Sequence, residues 1–229
     1  MKRILVLLLG LFISLSFALA QEEKMIERIH WLGQQSSIYI DGESVKVYID
    51  PYGLKEALPA ADIILITHAH SDHFSESDIK KVYKPDTVII APQSVTKQPG
   101  YKIKVIKPGD SIVEKGINIE VVPAYNTNKA FHQKSDDFVG YIITVDNTRI
   151  YHAGDTDFIP EMRQIKADIC LLPVGGTYTM TASEAAEAAN AIMPKAAIPM
   201  HYGTIVGTDK DAQDFKKLTK SKVVILKRE

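Results

Sequence analysis

Residues 67–73 read THAHSDH, and they bring three of the chain's 7 histidines into six positions. Four apolar residues come directly before this stretch, a pattern that predicts a buried β-strand. In an extended segment alternate side chains share a face, so His68 and His70 can point to one metal ion. If the chain then turns into a helix, Asp72 and His73 lie near a second point. Imidazole nitrogens and carboxylate oxygens suit a borderline divalent ion such as zinc.

Two further polar residues lie at the ends of apolar runs. Asp155 stands in YHAGDTD, residues 151–157, and His201 stands in PMHY, residues 199–202. Open α/β sheets present their functional sites at strand ends. These two residues are therefore expected near the histidine cluster.

The order of strand and helix patterns predicts the fold class. Helical patterns cover residues 75–83, 182–193 and 210–220. Asp146-Asn147 and Asp41-Gly42 suggest tight hairpins between neighbouring strands. A strand-dominated first half and a strand–helix–strand second half predict an α/β sandwich in one domain. The predicted β-strands are residues 37–40, 45–50, 63–66, 87–91, 103–106, 117–122, 138–145, 148–152, 169–173, 197–200 and 223–226.

The composition excludes several classes of protein. Hydrophobic residues make up 45% and charged residues 24%, ordinary values for a chain with a packed core. The chain has 27 Lys and Arg residues against 28 Asp and Glu residues. It therefore lacks the positive charge excess that would indicate nucleic acid or an anionic membrane as a partner. The single cysteine, Cys170, excludes an intramolecular disulfide framework and a Cys-rich zinc site.

The N-terminal segment has the layout of a secretory signal peptide. Two basic residues precede an apolar run, which ends in small residues at the positions that a signal peptidase reads, Ala18 and Ala20. We predict a cleaved signal peptide over residues 1–20, a secreted or periplasmic location, and one domain over residues 21–229. A retained N-terminal anchor is the alternative, because the run is near the lower length limit for a membrane span.

The histidine motif carries a resemblance to a known family. His-x-His-x-Asp-His after a buried strand resembles the signature of the metallo-β-lactamase superfamily of metallohydrolases. YIDP at residues 48–51, with the two segments around Asp155 and His201, extends the resemblance from about residue 28 to the C-terminus. Residues 173–186, PVGGTYTMTASEAA, are similar to the branch of UlaG-like ascorbate-phosphate lactonases and uncharacterised hydrolases. The resemblance implies an α/β fold, a four-layer αββα sandwich.

The resemblance also implies a centre of two divalent metal ions, zinc by preference, with manganese and iron as alternatives. The sequence leaves the third ligand of the first ion undecided. The family usually has a histidine shortly after the strand at residues 117–122, where this chain has Asn126 and reaches its next histidine only at His132. Alignment favours the Asn126 amide oxygen, and His132 is the alternative. The other implied ligands are His68 and His70 for the first ion, Asp72, His73 and His201 for the second, and Asp155 as the bridge.

Some residues around the motif have roles other than ligation. Asp50 is predicted to accept a hydrogen bond that fixes the tautomer of a ligand histidine. Strand alternation turns His152 away from Asp155, which indicates a supporting role. Gly33 belongs to a stretch similar to the family's first strand, and Gln34 stands where relatives often have a histidine. Tyr178 and Thr179 lie in a Gly-rich loop, where substrate binding and a structural turn both remain open.

The predicted function is that of a secreted metal-dependent hydrolase. A metal-bound hydroxide would cleave an ester, lactone or phosphodiester bond, with Asp72 or Asp155 moving the proton. The expected partner is a small-molecule substrate, without nucleic acid and without stable membrane association after cleavage. The alternatives are an iron-dependent redox enzyme on the same fold and a non-catalytic metal-binding protein.

Overall fold

The structure is a computed structural model that describes residues 21–32, 34–55, 58–95, 101 and 103–229. The predicted signal peptide, residues 1–20, and Gly33 lie outside the described residues. Within those ranges, no helix combines the length and the apolar character needed to cross a bilayer. Residues 21–26 are helical, and this turn buries Met25 and Ile26 in the core.

The first sheet is formed by the N-terminal half of the chain, in the order β1-β2-β3-β4-β5-β6. The pairs β1–β2 and β2–β3 are antiparallel, and the pairs from β3 to β6 are parallel. Alternation places Ile63 and Leu65 in the core between the sheets and Ile64 on the outer face. The strands are β1 Ile29–Trp31, β2 Ile38–Asp41, β3 Lys46–Ile49, β4 Ile63–Leu65, β5 Val88–Pro92 and β6 Ile103–Ile106.

The second sheet repeats this plan in the order β13-β12-β11-β10-β9-β8-β7. Strands β7 to β10 pair antiparallel, and β10 to β13 pair parallel. Asp155 follows the end of β10, and His201 follows β12 directly. The strands are β7 Ser111–Glu114, β8 Ile117–Pro123, β9 Val139–Val145, β10 Thr148–His152, β11 Ile169–Pro173, β12 Ala196–Met200 and β13 Lys222–Val223.

Helices cover the outer faces of both sheets. Helix α1, Glu76–Val82, packs Ile79 and Val82 on the first sheet. Helices α2, Ala182–Ile192, and α3, Asp209–Leu218, pack on the second sheet. The layers are therefore helix, sheet, sheet and helix, and the predicted αββα sandwich is confirmed.

The hairpin predictions have different outcomes. Asp146 and Asn147 both have positive φ, 47° and 59°, the conformation that a two-residue type I′ turn requires. The other hairpin is longer than predicted, because Asp41 pairs with Lys46 and leaves four residues in the loop. A side chain at Gly42 would collide with the Val45 carbonyl, so glycine is needed there for close packing.

The structure corrects the predicted strands at a few places. Two short strands, β1 and β7, are missing from the predicted set, and β7 is largely exposed. The last strand covers only Lys222–Val223, whereas residues 223–226 were predicted. Beyond residue 223 the chain leaves the sheet, with Val224 donating one further backbone hydrogen bond to Ala197.

Candidate metal centre

The centre lies where loops from both sheets meet at the ends of the strands. Residues 67–73 leave β4, Asp155 follows β10, and His201 follows β12. Backbone strain marks this region, since His201 has a φ of 57° and Asp50 a φ of 48°. Non-glycine residues hold such left-handed conformations only where the surrounding contacts stabilise them.

Asp50 fixes the loop of residues 67–73 by hydrogen bonds. It accepts hydrogen bonds from the backbone N–H of Thr67 at 2.7 Å and from its hydroxyl at 2.6 Å. It also accepts one from Nδ1 of His73 at 2.8 Å, so in the neutral ring that a metal ion requires, the lone pair is on Nε2, on the side of the centre. The predicted role of Asp50 as an acceptor that fixes a histidine tautomer is confirmed.

Thr67 fixes the next imidazole in the same way. Its hydroxyl hydrogen is donated to Asp50, so the oxygen can only accept from Nδ1 of His68, at 2.9 Å. The Nε2 atom of His68 therefore carries the lone pair and faces His70. Burial lowers the pKa of His68 well below its ordinary value, which favours the neutral form that a metal ligand requires.

Three histidines form the first ligand group. Nδ1 of His70 lies 3.0 Å from Nε2 of His68 and 3.3 Å from Nε2 of His132. Nδ1 of His132 donates to the carbonyl oxygen of Tyr178 at 3.1 Å, which leaves its Nε2 atom as the acceptor. The lone pairs on Nε2 of His68 and of His132 both face Nδ1 of His70, where a single proton can satisfy only one of them, whereas a metal ion would accept all three nitrogens.

Asp72, His73 and His201 form the second ligand group. Within the described part of the chain, the buried Nε2 atom of His73 has no hydrogen-bond partner. An unpartnered buried nitrogen is costly, and a metal ion would satisfy it. Asp72 is partly exposed on the cavity side, whereas the two imidazoles are buried.

Asp155 lies between the two groups. Its Oδ2 atom is 3.1 Å from Nε2 of His201, 3.4 Å from Nε2 of His73 and 3.7 Å from Nε2 of His132. Burial by itself would raise the pKa of Asp155, but His201 and His73 hold that pKa well below its ordinary value. Burial would likewise lower the pKa of His73, but Asp155 and Asp50 raise it well above the ordinary value. This buried carboxylate thus needs positive charge around it.

Gln35 reaches the second group from the turn before β2. Its Nε2 atom lies 3.3 Å from Oδ2 of Asp72 and 3.2 Å from Nε2 of His201. The hydroxyl of Thr204 donates to its Oε1 atom at 2.7 Å and so orients the amide. Gln35 is fully buried with a φ of 45°, so the backbone is held in an unfavourable conformation to bring this side chain in.

A cavity of about 230 Å³ opens onto the centre. Its walls include the exposed His70, the partly exposed Asp72 and two aromatic residues, Phe131 and Tyr178. Such a cavity has room for a small molecule beside both ligand groups. The complete lining is His70, Asp72, Phe131, His132, Asp155, Tyr178 and His201.

Known proteins share the sequence pattern and the fold of this chain. The family model described as a beta-lactamase superfamily domain matches residues 28–201. The chain belongs to the β-lactamase superfamily. A UPF0173 metal-dependent hydrolase of Pyrococcus abyssi is 34% identical over 219 residues, which cover 87% of this chain and 96% of that protein. The chain is thus a metal-dependent hydrolase of the metallo-β-lactamase fold.

Solved structures agree with this assignment. A crystal structure from Parabacteroides distasonis, described as that of a metal-dependent hydrolase, is 38% identical with a TM-score of 0.79. The match covers 88% of this chain and 93% of that chain. Igni18, a metallo hydrolase of Ignicoccus hospitalis, shares the fold at 24% identity with a TM-score of 0.71, over 87% of this chain and 94% of that one.

In this metallo-β-lactamase-fold hydrolase the nitrogen of the Asn126 amide is engaged behind His132. It donates to the carbonyl oxygens of Phe131 at 3.0 Å and Tyr178 at 2.8 Å and lies 3.3 Å from Nδ1 of His132. The other ring nitrogen of His132, Nε2, lies with the ligand nitrogens of His68 and His70. The geometry therefore favours His132, the alternative that the sequence left open, over Asn126. His132 gets there because Asn126 N–H bonds the His132 carbonyl at 2.7 Å and closes the loop.

His152 lies outside the ligand groups of the hydrolase. Its ring accepts from the backbone N–H of Gly154 at 3.2 Å, and Nε2 lies 3.0 Å from the carbonyl oxygen of Ser36, to which it donates. This buried imidazole therefore ties β10 to the turn before β2. The outcome agrees with the supporting role that strand alternation indicated.

Gln35 and Thr67 are the site residues of the hydrolase that sequence reasoning missed. The departure from the family pattern in the WLGQQSS stretch pointed to this turn, but to Gln34. The Gln34 side chain instead packs over Gly53, where a Cβ would collide with it. Only the turn geometry decides which of two adjacent glutamines enters the site.

Proposed function

We propose that the hydrolase uses two divalent metal ions and cleaves an ester, lactone or phosphodiester bond of a small molecule. The supporting observation is that the described residues form two three-ligand groups with no residue in common, and that a third group, His68, His73 and Asp155, links them. Mixed imidazole and carboxylate groups suit zinc, with manganese and iron as alternatives. The ligands would be His68, His70 and His132 for one ion, and Asp72, His73 and His201 for the other.

Two carboxylates of the centre, Asp72 and Asp155, have different roles in the proposed reaction. Bound divalent ions lower the pKa of a coordinated water and polarise the oxygen of the substrate bond. Asp72 faces the cavity and is partly exposed, so its carboxylate is placed to take a proton from the attacking water and return it to the leaving oxygen. Asp155 is buried among imidazoles and would hold the two groups together.

Hydrolysis has more support than iron-dependent redox chemistry or non-catalytic metal binding. The relatives at 33–35% identity are named metal-dependent hydrolases, which favours hydrolysis over iron-dependent redox chemistry. The cavity beside both ligand groups also favours an enzyme over a protein that only stores metal.

We also propose export, with residues 1–20 removed as a signal peptide and the mature protein secreted or periplasmic. The N-terminal sequence pattern supports this proposal. Burial of Met25 and Ile26 shortly after the cleavage point is consistent with a folded domain that starts near Gln21.

The decisive experiment is metal analysis followed by a chelator-controlled screen. Purified protein is analysed for transition metals and assayed on esters, lactones and phosphodiesters before and after chelation. We expect two equivalents of metal and hydrolysis that chelation abolishes and zinc restores. Metal-free protein that binds no added zinc, or hydrolysis indifferent to chelation, would contradict the proposal.

A further inference from the structure

The walls of the cavity differ in chemistry from its floor. Five of the seven lining residues are the histidines and carboxylates of the metal centre. The remaining two, Phe131 and Tyr178, are aromatic, and their ring centroids lie 5.0 Å apart with the ring planes at 89°. The Phe131 side chain is 51% exposed, although large apolar residues are usually covered. An exposed aromatic edge beside a reaction centre is a place for an apolar part of a substrate.

The aromatic pair is fixed relative to the metal centre. One amide, Nδ2 of Asn126, donates to the carbonyl oxygens of both Phe131 and Tyr178. The same Tyr178 oxygen accepts from Nδ1 of His132, which directly follows Phe131 in the chain. The backbone carbonyls of the two aromatic residues and this imidazole therefore share one hydrogen-bond network. A group held against the rings has a defined position relative to the reacting bond.

The cavity offers little to a charged substituent. Among the described residues, no lysine or arginine lines it. Lys129 lies in the same loop as Phe131, but it is paired with the buried Asp157 and its side chain is 17% exposed. A phosphate or carboxylate group placed away from the metal ions would lose its hydration without gaining a cationic partner.

On these grounds we infer that the substrate is an uncharged ester or lactone whose aromatic or bulky apolar group lies against Phe131 and Tyr178. The inference rests on the proposed hydrolytic function and narrows it to carbonyl substrates without a charged group away from the metal ions, such as the phosphate of a sugar phosphate. In the reaction, water supplies the oxygen of the new bond to the carbonyl carbon and the ester C–O bond breaks. The departing alkoxide oxygen takes the proton, so the products are a carboxylic acid and an alcohol.

The test compares three methyl esters on the metal-loaded protein, followed by acid release. Methyl phenylacetate is the neutral aromatic ester, methyl acetate lacks the ring, and the para-carboxylated phenylacetate ester adds one charge. We expect the neutral aromatic ester to have a kcat/KM about 10-fold or more above each of the others. Phe131→Ala and Tyr178→Ala should raise KM for this ester about 10-fold and change kcat/KM for methyl acetate by a much smaller factor.

Binding provides a second measurement and a control. Benzyl ethyl ketone, in which a CH2 group replaces the ester oxygen of methyl phenylacetate, has no cleavable ester bond. Calorimetry should show that it binds the metal-loaded protein and binds Phe131→Ala at least several-fold more weakly. Val113→Ala, which truncates an exposed apolar side chain outside the cavity, should change neither binding nor selectivity.

The outcomes separate the two proposals. Chelator-sensitive hydrolysis that prefers the carboxylated ester or a phosphodiester, or that is unchanged in both aromatic variants, overturns the substrate assignment and leaves the hydrolytic function standing. Failure of every ester, lactone and phosphodiester to be hydrolysed with bound metal overturns both. The stated preference with loss in the two variants supports both.

Discussion

The side-chain amide of Gln35 lies 3.3 Å from the carboxylate of Asp72, and the hydroxyl of Thr204 holds the amide in that orientation. Gln35 is fully buried and is not part of the cavity wall, so it acts on Asp72 and His201 from behind. Residues that orient metal ligands in this way contribute strongly to metal affinity.

We expect Gln35→Leu to weaken the metal site of Asp72 and His201 by roughly 10–100-fold, because the amide contact that positions both ligands is lost. Zinc titration of metal-free protein by calorimetry measures this as a change in one of two binding steps. Gln34→Leu is the matched control in the same turn and should leave both steps unchanged. Equal losses in the two variants would show a general disturbance of the turn.

The third ligand of the first group is tested by a pair of variants. His132→Ala removes an imidazole from that group and should reduce its zinc affinity by more than roughly 10–100-fold, the range for supporting residues. Asn126→Ala removes only the hydrogen bonds from its side-chain amide to the carbonyl oxygens of Phe131 and Tyr178. It should have a smaller effect on the same binding step. A larger loss for Asn126→Ala than for His132→Ala would restore the amide oxygen as the ligand.

Asp155→Ala should disturb both metal steps, because its Oδ2 atom lies against imidazoles of both groups. Ligands that bind only the folded state raise the free energy of unfolding, by about 2.7 kcal/mol at 100 times their dissociation constant. Saturating zinc should therefore raise the melting temperature of the unmodified protein and raise that of Asp155→Ala much less. Equal zinc-dependent shifts in thermal melting would exclude a shared ligand.

Asp78 makes stability depend on acid pH. It accepts backbone hydrogen bonds from Gly53 at 2.9 Å and Leu54 at 3.1 Å and pairs with Lys81 at 3.1 Å. Burial raises the pKa of Asp78, but the Ser75 hydroxyl, the Gly53 amide and Lys81 lower it overall. Because the folded pKa is below the unfolded value, the stabilisation is present above about pH 4 and is lost as the pH falls through the folded pKa.

Asp78→Asn should accordingly cost about 1–3 kcal/mol of unfolding free energy near neutral pH and flatten the dependence below about pH 4. Urea unfolding of metal-free protein over a pH series measures both effects. Asp110→Asn, at a more exposed turn, is the control. An Asp78→Asn curve parallel to that of the unmodified protein down to low pH would show that the carboxylate contributes no acid dependence.

Export predicts a mature N-terminus at Gln21, because a signal peptidase would cut after Ala20. N-terminal sequencing of the protein from its native host checks this. Ala18→Arg, which blocks the recognised small residue, should leave the precursor uncut. A full-length chain confined to the cytosol would contradict export.

The ligand motif and the layer order were predictable because both follow from patterns within short stretches of the sequence. His68, His70, Asp72 and His73 lie within six residues, so a strand followed by a turn is enough to bring them together. Predicted strands matched observed ones closely where alternation or apolar runs were strong, as in β6, β10 and β11. Strand β7 was missed because its exposed valine and charged neighbours resemble an ordinary loop.

The sequence by itself determined the chemistry of this protein: the histidine motif, the αββα fold and the carboxylate at Asp155. Only the tertiary structure decided which groups complete the centre. His132 rather than Asn126 meets His70, because hydrogen bonds to the Tyr178 carbonyl, 46 residues away from His132, turn the ring inward. Gln35 rather than Gln34 meets Asp72, because the turn before β2 holds a positive φ. The first choice depends on contacts between distant segments and the second on the conformation of one turn, and residue type and spacing encode neither.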